Sequence, residues 1–112
     1  MGRSVKKNHL PFLKVLAIKR LCPKLRKLLL QQKGLVTSCS ECCLNILNGN
    51  ITLTETEKNR LKKYKHLLRQ LASKRIAVKK KQHLLIQKGS GFLPLLLIPA
   101  LTVLSQLFNK NG

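Results

Sequence analysis

The sequence predicts an all-α fold: a small bundle of about four to five short amphipathic helices, followed by a hydrophobic, proline-containing C-terminal tail. Three observations predict it. Apolar residues recur at intervals of three and four rather than two. The breaks between apolar stretches carry helix-start and helix-stop residues. No segment alternates apolar and polar residues in the way a half-buried strand does.

His9 to Leu21 places Leu10, Leu13, Leu16, Ala17 and Leu21 at helical spacing, leaving Lys14, Lys19 and Arg20 for the other face. Pro23 suits the first turn of a second helix, where its missing N–H has no intrahelical partner to lose. That helix has Leu25, Leu28 and Leu29 as its apolar stripe and Lys33-Gly34 as its end. A third helix is expected from Thr37 or Ser38 through Cys39, Cys42, Cys43, Ile46 and Leu47 to a stop at Asn48-Gly49. Thr54-Glu55-Thr56-Glu57 is the strongest local signal: the Thr54 hydroxyl caps the helix start and Glu57 reaches back to it, a capping box.

One helix is expected to continue from Thr54 to about Ala72. Its apolar face is Leu61, Tyr64, Leu67, Leu68, Leu71 and Ala72, and its opposite face is Lys58, Arg60, Lys62, Lys63, Lys65 and Arg69. After a break from Ser73 to Val78, a last basic helix spans Lys79 to Lys88, with Leu84, Leu85 and Ile86 as its apolar content and Gly89 as its stop.

The charge is one-sided. The 112 residues hold 23 Lys and Arg against 3 acids, none of them Asp, for a net charge of +20. Such a chain repels itself unless a polyanion supplies the missing sign; nucleic acid is the first such partner and anionic membrane the second. The 44% hydrophobic content excludes a purely disordered basic arm. Aromatics are limited to Phe12, Tyr64, Phe92 and Phe108, with no Trp, which disfavours single-strand binding by base stacking and favours double-stranded DNA.

Of the 23 cations, 22 precede Gly89 and only Lys110 follows it. The expected organisation is therefore a basic N-terminal arm over 1–9 with Arg3, Lys6 and Lys7, a helical basic body over 10–88, a Gly/Ser joint over 89–91 and an apolar tail over 92–112. The candidate phosphate-contacting surface is Lys58, Arg60, Lys62, Lys63, Lys65, Arg69, Lys74, Arg75, Lys79, Lys80, Lys81 and Lys88, a stretch without a single acid. Cations on such a surface displace condensed counterions from the phosphate backbone, so affinity falls with salt. No helix-turn-helix, zinc-finger or basic-zipper signature is present, and Lys far outnumbers Arg, which points to coating rather than base reading. Lys79-Lys80-Lys81, with Lys74-Arg75 before it, also fits a nuclear import cluster.

Cys22, Cys39, Cys42 and Cys43 are expected in a reducing compartment, since basic Met1 to Asn8 is followed by no clean secretory h-region. Cys39 and Cys42 have the gap of a zinc half-site, but no second pair or His-x3-5-His accompanies them. The first expectation is small, buried, hydrophobe-like cysteines; zinc and redox use are the alternatives. Gly2 lacks the myristoylation pattern, with Lys6 where Ser or Thr is required. Glu55 and Glu57 belong to a helix start and Glu41 stands among cysteines, so no acid–base pair points to an enzyme, and no cofactor is implied.

Phe92 to Phe108 is an uncharged run of 17 residues. At about 1.5 Å per residue it is marginal for a hydrocarbon core of roughly 30 Å, and Pro94 and Pro99 are expected to disrupt its first half. A tail buried against the body or a partner, inserted shallowly in a membrane or removed by proteolysis is the expectation, with a stable transmembrane anchor as the alternative.

The basic body, the joint Gln87-Lys88-Gly89-Ser90-Gly91 and the run Phe92-Leu-Pro-Leu-Leu-Leu-Ile-Pro99 together resemble the precursor of adenovirus core protein X, the mu protein. In that family a short cationic DNA-condensing segment precedes an apolar run of the Leu-Pro-Leu-Leu-Ile-Pro type. The adenovirus-type cysteine protease cuts after Met, Leu, Ile, Asn or Gln, any residue, Gly and any residue, before Gly. Gln87, Gly89, Ser90 and Gly91 match, which implies cleavage between Ser90 and Gly91. The resemblance covers about Gln87 to Leu104. The body departs from it, being Lys-rich, helical and cysteine-bearing where the mu segment is short and Arg-rich.

The whole chain is also similar to small basic proteins of adintoviruses and Polinton (Maverick) elements. The resemblance implies a virion core protein that condenses double-stranded DNA in the virion core and host nucleus and is matured by the element's protease. From the residues alone, a membrane-active or membrane-anchored basic helical protein is the alternative, and a module self-associating through its cysteines and leucines is a third.

Overall fold

The computed structural model describes residues 6–110, with side chains for 6–106. After a 3-10 turn at Lys7–His9 come α1 (Leu10–Leu16), α2 (Pro23–Leu30), α3 (Lys33–Leu47), α4 (Glu55–Lys62), α5 (Lys65–Ala72) and α6 (Val78–Lys110). No strand occurs among the described residues. The all-α expectation holds, but the α-helices among the described residues number six and the last is not short.

The local start and stop signals operate as expected at three places. Pro23 opens α2, and Cys22 before it is extended, φ −53 and ψ 127, as a residue preceding proline must be. Gly49 follows α3 with φ 75, the left-handed position at which glycine escapes the Cβ clash. The capping box is complete: Thr54 Oγ1 accepts from the Glu57 N–H at 3.2 Å, and Glu57 Oε1 accepts from the Thr54 N–H at 2.9 Å.

Tertiary contacts override the remaining signals. α1 ends at Leu16 rather than Leu21, and residues 17–22 turn the chain into α2. In α2, Leu25 and Leu28 are 40% and 65% exposed, so two of the three residues of the expected stripe face outward, while Leu29 packs partly buried against the core and Leu30 is the buried anchor. Gly34 does not end α2 but lies in the first turn of α3. The His9 ring occupies the space of a Cβ there, 2.9 Å away, and His9 Nδ1 is hydrogen-bonded to Ser38 Oγ at 3.0 Å.

The helix expected from Thr54 to Ala72 breaks at Lys63 and Tyr64. The break lets α4 pack Leu61 toward α6 while α5 turns Leu67, Leu68 and Leu71 against α3.

The largest departure is α6. Its 33 residues run through Gly89, Ser90, Gly91, Pro94 and Pro99 without a stop. Each internal proline lacks the N–H that would bond the carbonyl four residues back, here those of Ser90 and Leu95, at a local cost of about 3 kcal/mol. Burial outweighs it. Phe92, Leu93, Leu96, Leu97 and Ala100 are all 0% exposed, and α1, α2, α3 and α4 each pack on this helix.

The expected joint and the tail through Gln106 are thus one central core element, with that part of the tail packed against the body. The radius of gyration, 12.8 Å, matches the roughly 13 Å of a compact domain of this length. Val78–Gln106 is long and apolar enough to cross a membrane, yet 56% of its most apolar window is buried inside the protein.

Candidate nucleic-acid interface

Eleven of the twelve candidate phosphate-contacting residues are exposed: Lys58, Arg60, Lys62, Lys63, Lys65, Arg69, Lys74, Arg75, Lys79, Lys80 and Lys88. The exception is Lys81, 6% exposed. Its ammonium donates to Ser40 Oγ at 2.9 Å, and Ser40 donates in turn to the Leu71 carbonyl, tying α6 to α3 and α5. Burial lowers the Lys81 pKa, while Cys43 and Glu41 oppose the shift. Lys81 is therefore withdrawn from the interface, and Lys79-Lys80-Lys81 is not a continuous exposed basic cluster. Lys6 and Lys7 are exposed as an auxiliary arm requires. Arg3 lies outside the described residues.

The exposed cations do not form the single face expected of one helix. Lys58, Lys62 and Lys65 line a groove of about 390 Å³, floored by Ile46, Leu53, Leu61 and Leu68 and edged by Glu55. Arg60 and Lys63 turn to the other side of α4. There they line a second groove, of about 350 Å³, with Lys19, Tyr64 and the Ser90 to Leu95 stretch of α6. Lys79 shares a third recess with Lys33 and Gln82. Lys19 and Lys33 stand outside the expected stretch because they come from a turn and a helix start that only the tertiary fold brings near α4 and α6.

Carboxylates neutralise little of this surface. Glu55 pairs with Lys58 at 4.0 Å, the one salt bridge among the described residues, and both side chains are more than half exposed, so the pair is worth well under about 1 kcal/mol. Glu57 is engaged in the capping box.

Cys39, Cys42 and Cys43 are 0% exposed and pack in the core, as hydrophobe-like cysteines should. Burial pushes the Cys42 thiol up to about 12 and raises those of Cys39 and Cys43 as well. Cys22 departs from that expectation. It is exposed at the start of α2, where the Leu25 and Lys24 N–H groups lower its thiol pKa.

The candidate cleavage residues Gln87, Gly89, Ser90 and Gly91 lie in the middle of α6, not in a flexible joint. Gly89 is buried beneath Leu93 and Arg26, and the Tyr64 hydroxyl stands where a Gly91 Cβ would project. Nicking favours exposed, locally opened segments, so a protease cutting Ser90–Gly91 must first unwind the central helix.

The class that fold and surface define is a compact all-helical globule with an apolar core and a nearly unopposed cationic exterior. Comparison with protein-family models, curated proteins and solved structures finds no match.

Proposed function

We propose that this protein binds double-stranded DNA through its phosphates, without reading sequence, and condenses it as a virion core protein acting in the virion core and host nucleus. The observation that carries the reading is the distribution of charge. Eleven exposed cations lie between Lys58 and Lys88, six of them in three separate grooves around a compact body, and Glu55 and Glu57 are already engaged. A globule charged on several sides touches more than one duplex segment, which is what condensation requires and single-site recognition does not.

Among the described residues exposed aromatic platforms are scarce. Phe12 is 47% exposed, Tyr64 is half-buried and Phe92 is fully buried, which favours a backbone-only mode over base stacking.

The test is duplex binding across a salt series with several unrelated sequences. If about six to ten phosphates are contacted, affinity falls roughly 10³–10⁵-fold between 50 and 200 mM salt, with little difference among sequences. A flat salt response, or strong preference for one sequence, overturns the reading.

A second reading, action on anionic membranes, draws on the length and apolarity of α6. Insertion of α6 would expose the core it now fills, so this reading requires helix loss or rearrangement on anionic vesicles. Partition onto vesicles stronger than duplex binding would favour it.

A further inference from the structure

Lys19, Arg60 and Lys63 converge from separate elements on the groove beside α6: Lys19 from the α1–α2 turn, Arg60 from α4, and Lys63 from the α4–α5 break. The adjoining hollow repeats Lys19 and Arg60 and adds Glu57, whose Oε1 is held by the Thr54 N–H. No ion pair engages any of the three cations among the described residues.

Neutral donors stand beside them. Tyr64 and Ser90 both line the groove. The Tyr64 ring is fixed against Phe92, centroids 5.4 Å apart and tilted by 57°, with Lys63 Nζ 5.5 Å from the ring centroid. Its hydroxyl lies 2.7 Å from where a Gly91 Cβ would be, so the missing side chain at Gly91 is what lets that hydroxyl occupy the groove.

We propose that this groove is a phosphate seat, taking a phosphodiester of the duplex backbone. Arg60 supplies the planar fork that matches two phosphate oxygens, Lys19 and Lys63 supply point charges, and the Tyr64 and Ser90 hydroxyls supply hydrogen bonds. The proposal rests on the DNA-binding reading and makes the surface unequal. The groove of Lys58, Lys62 and Lys65 has no Arg, has an apolar floor, and has its Lys58 paired with Glu55. The recess of Lys33 and Lys79 holds only two cations.

The test uses the full chain and two charge-matched triple variants, K19Q/R60Q/K63Q and K58Q/K62Q/K65Q, against a short duplex of arbitrary sequence over a salt series. The groove variant is expected to bind at least tenfold more weakly than the control variant at equal salt. Tyr64→Phe, which keeps the ring packing and removes only the hydroxyl, is expected to lower affinity several-fold without changing the salt slope. In the unaltered protein, inorganic phosphate at millimolar concentration is expected to shift the Tyr64 ring resonances saturably. Equal losses in the two triples, or Tyr64 resonances indifferent to phosphate, overturn the seat while leaving general DNA binding intact. Absence of salt-dependent duplex binding by the unaltered protein removes the functional reading and the seat together.

Discussion

Leu96 lies in the stretch whose composition suggests a detachable tail, and it is 0% exposed in the middle of α6. Leu96→Ala removes the buried methyl groups and leaves a cavity among side chains that relax only in part, at a cost of about 2–5 kcal/mol. A domain of this size holds roughly 5–15 kcal/mol in total, and each kcal/mol moves its melting temperature by about 4 °C, so a drop of roughly 8–20 °C is expected. Removal of residues 91–112 is harsher. It takes Phe92, Leu93, Leu96, Leu97 and Leu104 out of the core together, and at about 2 kcal/mol or more for each the loss reaches the whole stability of the domain. Helical circular dichroism followed through thermal and urea unfolding checks both changes. A 1–90 chain that keeps its helix content and unfolds cooperatively, or a Leu96→Ala chain within about 1 kcal/mol of the unaltered one, would refute the assignment of α6 as the core.

Three further outcomes are expected. Gly89→Ala gains about 1 kcal/mol of helix propensity but meets Leu93 Cδ1 at 2.9 Å and Arg26 Cδ at 3.2 Å, side-chain atoms that must shift, whereas Gly91→Ala must push aside the Tyr64 hydroxyl at 2.7 Å on a ring packed against Phe92. Thermal melts should therefore place Gly89→Ala at or above the parent and Gly91→Ala below Gly89→Ala; a large loss at Gly89 would contradict a helical conformation there. A thiol reagent at neutral pH should label Cys22 quickly and the other three cysteines only on unfolding, and rapid native labelling of two or more thiols, counted by mass, contradicts the buried cluster.

The third concerns Lys81, whose folded pKa lies below its unfolded value, so its charged form is penalised at neutral pH. Lys81→Met should stabilise the protein by about 1 kcal/mol near pH 7, because an apolar side chain of similar length removes a buried charge. That advantage should shrink as pH rises from the depressed folded pKa toward the unfolded one, where the unfolded state binds more protons than the folded. Comparing the two chains at each pH cancels the common effect of the other lysines, and an advantage that does not shrink refutes the assignment.

Helix starts and stops were legible wherever the chemistry is local. Thr54 with Glu57, Pro23, and Asn48-Gly49 each act within a few residues of the backbone groups they satisfy. Gly34 and Gly89 read identically as stops but act as sites of close approach, because His9 in one case, and Leu93 with the distant Arg26 in the other, occupy the space of the missing side chain. No local pattern separates a glycine that ends a helix from one that admits a neighbour. Pro94 and Pro99 show the same limit in energetic form: the penalty of each is a property of its own turn, and the burial that outweighs it comes from four other helices.

The interface divides along the same line. That the segment after Glu57 would be cationic and largely exposed follows from composition, since Lys and Arg are almost never buried without a partner. Lys81 is buried because Ser40, on another helix, provides that partner. On an uninterrupted helix from Thr54 to Ala72, at about 100° per residue, the six cations read as one face already divide: Lys58, Lys62, Lys65 and Arg69 share a side, and Arg60 and Lys63 lie well round from them. The fold gives each side its own neighbours: Lys58, Lys62 and Lys65 stand beside α3, and Arg60 and Lys63 stand beside Lys19 and α6. Those neighbours turn one basic segment into grooves of different chemistry, the basis on which the proposed seat differs from another group of equal charge.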